Sequence, residues 1–278
     1  AQINVASRNT SQAIYLKSFG EVGQITLTNA NVTHEKTVHN LVYGCDTVIN
    51  LIGTLNEGKH SSFQELHHNA IARIARHSWE SGVSTLIHFS ALGVKRGINS
   101  EYIRSKERGE HELRQIFHGA TTIRPSAVFG AEDQFSNKFA CISKWMPIIC
   151  LPMGGKTQLQ PVYVGDIAKA VAKIVSDSSL QGQIYELGGP RAITLRELVE
   201  IIQVVTGHKR VILPLPKWLS ILMAGLTKLK PGAPLITRDQ LLTLERNNIV
   251  SLENTRLKKF SDLGIEPTAL EDIIPSYI

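Results

Sequence analysis

The chain is short of the residues that mark special-purpose scaffolds. It holds three cysteines, Cys45, Cys141 and Cys150, an odd number with no CxxC spacing. A disulfide-stapled domain is excluded, and free thiols in a reducing compartment are expected. Charged residues are only 19% against 42% hydrophobic ones, which excludes disorder as the main state. Aromatics are 6%, and the 30 basic and 24 acidic residues leave a net charge of +6 without a basic stripe. Nucleic acid is therefore not an expected partner. A weak attraction to an anionic membrane or an acidic partner fits better. No run approaches the roughly 18 apolar residues of a membrane span. No signal peptide is expected at the start, where residues 1–5 already alternate like a strand. Repeats and low-complexity tracts are absent.

What is present is a long alternation of strand and helix patterns. Strands are expected at residues 3–7, 23–28, 46–52, 84–90, 121–124 and 183–187. Helices are expected between them at 11–19, 34–42, 62–81, 100–118 and 166–176. The run DTVINLI at 46–52 is nearly all apolar, as in a strand covered on both faces. Repeated β-then-α units imply a parallel sheet wrapped by helices, an α/β doubly wound fold of Rossmann type. After the Gly-Gly-Pro at 188–190 the pattern turns helix-rich, with helices expected at 194–206, 217–228, 237–246 and 255–263. The expected organisation is a dinucleotide-binding domain over 1–190, with 131–156 partly in a smaller lobe, and that lobe over 191–278.

One element of such a fold is missing. Neither GxGxxG nor GxxGxxG occurs, although this turn normally lets backbone N–H groups and a helix N-terminus meet the pyrophosphate. The pattern begins at what would be the second strand. In the order 3-2-1-4-5 the lost strand is central, so its absence leaves two unpaired apolar edges. Two readings follow. In the preferred one the sequence is an N-terminally shortened piece of a longer protein. In the other the protein lacks the motif and does not bind a dinucleotide in the usual way.

Several residues carry candidate chemistry. Tyr102 and Lys106 stand at i and i+4, on one face of a helix that follows a strand. There a Lys ammonium can hold ribose hydroxyls and a phenol can serve as general acid or base. A solvated surface pair is the alternative. Ser90 ends the preceding strand, placed either to hydrogen-bond a substrate carbonyl or to cap backbone groups. Arg8 follows the first strand, where an Arg accommodates the 2′-phosphate of NADP and an acidic residue favours NAD. Asn31 and Val32 follow the next strand and can contact adenine. Leu51 and Gly53 follow the third, where Gly permits close backbone approach. Ten histidines, among them His60, His67, His68 and His77, show no HExxH and no Cys partner at zinc spacing, so no metal is expected. The apolar stretch at 215–230, with Trp218, Lys217, Lys228 and Lys230, is either a core helix or an interfacial one. WMPIICLP at 145–152 adds to a hydrophobic docking face.

IRPSAVFGAEDQFSNKFA (123–140), NLIGT (50–54), FSALG (89–93), QPVYVGD (160–166) and YELGGP (185–190) together resemble one family. It is the atypical extended short-chain dehydrogenase/reductase branch that contains the alpha subcomplex subunit nine accessory proteins of respiratory complex I. Bacterial relatives are described as NAD-dependent epimerase/dehydratase-like proteins. The resemblance implies NADP(H) as cofactor, with NAD(H) second, held by Arg8, Asn31, Val32, Leu51, Gly53, Ser90, Tyr102, Lys106, Pro125 and Val128. It implies complex I subunits as partners, at the inner face of a bacterial plasma membrane or the matrix side of the inner mitochondrial membrane. The chain departs from the branch's catalytic members in one respect. Their active Ser stands two residues after Ser90, where this chain has Leu92, so a catalytic set of Ser90, Tyr102 and Lys106 is incomplete. Two functions follow. One is a non-catalytic NADP(H)-binding accessory subunit of NADH:quinone oxidoreductase. The other is a free-standing oxidoreductase or epimerase acting on a sugar nucleotide or other hydroxyl substrate, with Tyr102 as acid/base, Lys106 beside it and Ser90 as clamp.

Overall fold

The computed structural model describes residues 1–58, 62–94, 99–227, 237–251 and 254–278. In chain order the elements begin β1 (Ile3–Ser7), β2 (Ile25–Asn29), α1 (Glu35–Val42), β3 (Thr47–Asn50), α2 (Ala70–Glu80) and β4 (Thr85–Phe89). They continue α3 (Glu101–Ile116), β5 (Thr121–Pro125), β6 (Val128–Phe129), α4 (Ser136–Trp145), β7 (Ile148–Leu151), β8 (Gln158–Leu159), β9 (Val162–Tyr163), α5 (Val164–Ser176) and β10 (Ile184–Leu187). The last are β11 (Ile193–Thr194), α6 (Leu195–Thr206), β12 (Val211–Pro214), α7 (Lys217–Thr227), α8 (Arg238–Thr243) and α9 (Leu270–Ile273).

The main sheet is parallel, in the order β10-β5-β4-β3, and β1 and β2 form a separate parallel pair with Ile3 opposite Ile25 and Ser7 opposite Asn29. Among the described residues no strand joins β1 to β3. Ile3 of β1 and Ile49 of β3 are exposed. β4 and β5 are buried along nearly their whole length, the mark of strands covered on both faces, whereas the apolar run at 46–52, expected to be covered on both faces, forms the edge strand β3 with Ile49 and Leu51 exposed.

The chain divides into two compact units, Ala1–Ile87 with Arg108–Ala120, and His88–Glu107 with Thr121–Ile278. The first is centred on Val38, Ile71, Ile74, Val83, Leu86, Leu113 and Phe117. The second packs Phe129, Ile149, Leu151 and Ile193 against Leu198, Val199 and Ile202 of α6. Helix α6 shows why local sequence sufficed there. Thr194 Oγ1 accepts the Glu197 N–H at 3.1 Å, Glu197 Oε2 accepts the Thr194 N–H at 2.6 Å, and Gly207 closes the helix at φ 69°.

Three expected helices differ. Thr10–Phe19 winds as a 3-10 helix and buries only Ala13, so no apolar stripe holds it in α form. In place of a helix at 255–263 there is a 3-10 turn, Phe260–Leu263, whose i and i+3 residues Phe260 and Leu263 are both buried. The expected helix at 62–81 opens with a π-helical turn, Glu65–Asn69, before α2 begins. Backbone crowding accounts for that turn: Gly109 of α3 lies so close that a Cβ there would stand 1.9 Å from the His67 carbonyl oxygen.

Two acids, half-buried Asp133 and buried Asp166, brace the second unit. Asp133 Oδ1 accepts the backbone N–H groups of Phe135 and Ser136 at 2.8 and 2.6 Å, and Oδ2 accepts those of Gly130 (N–H) and Tyr277 (hydroxyl) at 3.1 Å each, together with the Ser136 hydroxyl. Asp166 accepts the Thr268 N–H at 2.6 Å and the Lys169 ammonium at 2.9 Å. Burial pushes both carboxyls up, but these donors outweigh it and hold each below the usual aspartate range. Stability from a depressed carboxyl is complete above the unfolded-state value of about 3.9 and is lost as pH falls below it. We expect the second unit to melt progressively earlier below about pH 4, with a flatter acid dependence in Asp133→Asn and Asp166→Asn. Thermal melts between neutral and acid pH read this directly, and an unchanged acid slope in both variants would contradict it.

Candidate functional site

The predicted residues follow the carboxyl ends of parallel strands, where ligands of open α/β sheets sit. In the first unit Arg8 follows β1, Asn31 and Val32 follow β2, and Leu51 and Gly53 follow β3. β1 and β2 are paired to their ends, and the Asn29 amide donates to the Arg8 carbonyl at 3.3 Å, so these two turns lie together. Arg8 is exposed. Asn31 Oδ1 accepts the Thr33 N–H at 3.1 Å, and the Val32 carbonyl accepts from Arg73 Nη1 at 3.0 Å, which sets the shape of the turn. Leu51 is 69% exposed beside Gly53.

The loop after β3 has an anchor that the sequence did not mark as functional. His67, fully buried in the π-helical turn, accepts the Thr54 N–H on Nε2 at 3.0 Å. The ring is therefore held with Nε2 unprotonated, and Phe63 stacks on it at 5.4 Å. Adjacent His67 and His68 signalled only a helix surface. The π-turn that swings one of them inward follows from packing against Gly109. Among the described residues no group of three or more His, Cys, Asp or Glu side chains could hold a metal ion. His60 lies outside the described residues.

Ser90, Tyr102, Lys106, Pro125 and Val128 all belong to the second unit. The Ser90 N–H donates to the Ile123 carbonyl at 2.8 Å, and the Leu92 N–H donates to the Pro125 carbonyl at 3.0 Å, aligning the strand ends of β4 and β5. Lys106 is 4% exposed and its ammonium donates to the Phe89 carbonyl, 3.0 Å away, at the last residue of β4. The Ser90 hydroxyl is buried and, among the described residues, has no hydrogen-bond partner. A buried hydroxyl of that kind is costly unless something completes it. Burial pushes the Tyr102 phenol up to about 12, so at neutral pH it is a protonated hydrogen-bond donor. Leu92 is buried in the core, where it offers no hydroxyl to a substrate.

The apolar stretches singled out in the sequence also meet. β7 pairs with β12 in parallel, Ile148 opposite Val211 and Cys150 opposite Leu213, and all four are exposed. Trp145 and Met146 precede this ribbon, and Trp218 and Leu222 of α7 follow it, all exposed. The Lys144 ammonium lies 5.8 Å over the Trp145 ring. Lys228 and Lys230 lie outside the described residues, and among the described ones no helix is long and apolar enough to cross a membrane.

The fold is that of the Rossmann-type dehydrogenases, reductases and epimerases. The chain superposes on a crystal structure of the NADPH-dependent quinone oxidoreductase of Escherichia coli with TM-score 0.74 and 17% identity, covering 99% of this chain and 90% of that one. It superposes on the dTDP-4-dehydrorhamnose reductase of Bacillus anthracis, solved in complex with NADP, with TM-score 0.71 and 14% identity over 99% of this chain and 98% of that one. No family model matches the sequence. Curated relatives do. The chain is 34% identical over 258 residues to mitochondrial NADH dehydrogenase [ubiquinone] 1 alpha subcomplex subunit 9 of Mus musculus, covering 93% of this chain and 68% of that protein. It is 27% identical to the mitochondrial NADH-ubiquinone oxidoreductase 40 kDa subunit of Neurospora crassa, over 95% of this chain and 68% of that one. The chain belongs to the family of NADH dehydrogenase [ubiquinone] 1 alpha subcomplex subunit 9.

Proposed function

We propose that the chain is a non-catalytic NADP(H)-binding accessory subunit of respiratory NADH:quinone oxidoreductase, working at the matrix side of the inner mitochondrial membrane or the matching bacterial face. Family membership supports the complex, since the relatives are named as its subunits. The observation that carries the binding role is Ser90: a buried hydroxyl lacking a partner among the described residues, at a strand end, in the same unit as Tyr102 and Lys106. These residues fit a pyridine nucleotide chemically. Lys106 supplies a buried ammonium for ribose hydroxyls, the neutral Tyr102 phenol donates a hydrogen bond, and Ser90 completes the polar set. Exposed Arg8 supplies a guanidinium for the 2′-phosphate that separates NADP from NAD. When bound, such a nucleotide supplies hydride chemistry, but Leu92 leaves the chain without a hydroxyl two residues beyond Ser90. The apolar ribbon of β7 and β12 with Trp145 and Trp218 is the face offered to the other subunits at the membrane surface.

The test is native mass spectrometry and NADPH fluorescence on the full-length protein. Lys106→Met should weaken NADPH binding by about ten- to a hundred-fold, the worth of one charge-assisted hydrogen bond. Tyr102→Phe should leave assembly into the complex intact. A bound nucleotide that cycles between reduced and oxidised forms with added substrate, and stops doing so in Tyr102→Phe, would favour a free-standing oxidoreductase or epimerase instead.

A further inference from the structure

We propose that Asp239 is a positioning residue for Tyr102: a carboxylate carried on α8 that sets the first turn of α3 and, through it, the nicotinamide half of the dinucleotide site. The inference rests on the cofactor reading above. Tyr102 is the second residue of α3, and the first turn of a helix is where backbone N–H groups lack intrahelical partners and fraying starts. Here those groups are held from far along the chain. Asp239 Oδ1 accepts the Glu101 N–H at 2.7 Å, and Oδ2 accepts the N–H of Tyr102 itself at 3.1 Å. The Ser100 hydroxyl, fully buried, donates to the same Oδ2 at 2.7 Å and accepts the Ile103 N–H at 3.3 Å. One carboxylate thus organises three consecutive residues, and its charge suits the positive end of the helix.

Asp239 is itself fixed. It lies in the first turn of α8, whose capping box is closed by Thr237 Oγ1 accepting the Gln240 N–H at 3.1 Å and Gln240 Oε1 accepting the Thr237 N–H at 3.0 Å. Leu241, two residues on, is buried. Within α3, Tyr102 therefore lies between two anchors: Asp239 on its own amide, and one turn later the Lys106 ammonium on the Phe89 carbonyl. Removing Asp239 frees the first anchor and leaves the second. Tyr102 then has to be ordered when ligand binds, and that ordering is subtracted from affinity. The hydrogen bonds described for Arg8, Asn31 and Val32 do not involve Asp239, and the substitution does not alter these residues.

Two ligands separate these effects. NADPH carries a nicotinamide half, whereas adenosine 2′,5′-bisphosphate lacks it. In the full-length protein, Asp239→Ala should weaken NADPH about ten-fold and leave the bisphosphate within about two-fold. Asp239→Asn, which keeps shape and one acceptor, and Ser100→Ala should show the same selective loss to a smaller extent, and they cover the case in which the alanine variant does not fold. An equal loss for both ligands in these variants, or no loss for either, overturns the positioning role while leaving the cofactor reading standing. A wild-type protein that binds neither ligand overturns the cofactor reading, and this inference with it.

Discussion

Gly109→Ala will lower the stability of the first unit by about 3 kcal/mol, although glycine to alanine inside an exposed helix ordinarily adds about 1 kcal/mol. The sign reverses because of what the new methyl would meet. Its Cβ would stand 1.9 Å from the His67 carbonyl oxygen and 2.7 Å from Ile71 Cδ1. Ile71 can rotate, but a backbone oxygen cannot give way without moving the π-helical turn. That turn carries His67, and His67 Nε2 holds the Thr54 N–H beside Gly53. A melting curve and amide exchange at Thr54 report both consequences: an earlier melt, and faster exchange at that amide. A variant that melts later than the wild type would show that the two helices do not approach as described.

Breaking the ion pair inside the sheet will cost as much or more. Arg124 of β5 and Glu186 of β10 stand directly opposite in the parallel register, 3% and 2% exposed, with Nη1 and Oε1 3.7 Å apart. Glu186 Oε2 also accepts the Ser251 N–H at 2.9 Å, and its own N–H donates to the Lys258 carbonyl at 2.9 Å, so this residue ties the segment beyond β10 to the sheet. Glu186→Ala removes one carboxylate from a buried guanidinium, a loss of about 3–5 kcal/mol. The surface pair Arg196–Glu200, with both side chains half exposed, contributes about 0.3–0.5 kcal/mol by comparison. Urea midpoints should therefore fall steeply for Glu186→Ala and barely move for Glu200→Ala. Replacing Arg124 and Glu186 together by Met and Leu should recover most of the loss, because no charge then remains buried. Equal midpoints for the two single variants would remove the buried pair as a stabilising contact.

Much of the architecture was legible because its signals are local and periodic. The alternation of strand and helix patterns marked β4, β5 and α6, and an amphipathic period marked α2. The departures lie where long-range contact overrides period. The π-turn at Glu65–Asn69 answers to Gly109, and the 3-10 turn at Phe260–Leu263 answers to two buried residues spaced by three. The site divides in the same way. Tyr102 and Lys106 announce themselves by i,i+4 spacing, and Ser90, Arg8 and Asn31 by standing just past strands. Asp239 gave no signal, since an acid in the first turn of a short helix reads as a cap for its own helix. His67 gave none either, since a histidine pair on a helical pattern reads as surface.

What the amino-acid order by itself determined is the parallel α/β plan and which residues follow each strand end. Hydrophobic period and turn chemistry act over a few residues, so a reader of the chain can recover them. Only the tertiary structure decided which groups complete those residues: the Asp239 carboxylate on the amide of Tyr102, the Phe89 carbonyl on Lys106, and the buried Ser90 hydroxyl that no group among the described residues meets. Hydrogen bonds between separate elements, 137 residues apart for Asp239 and Tyr102, leave no trace in local pattern, because their partners are chosen by packing.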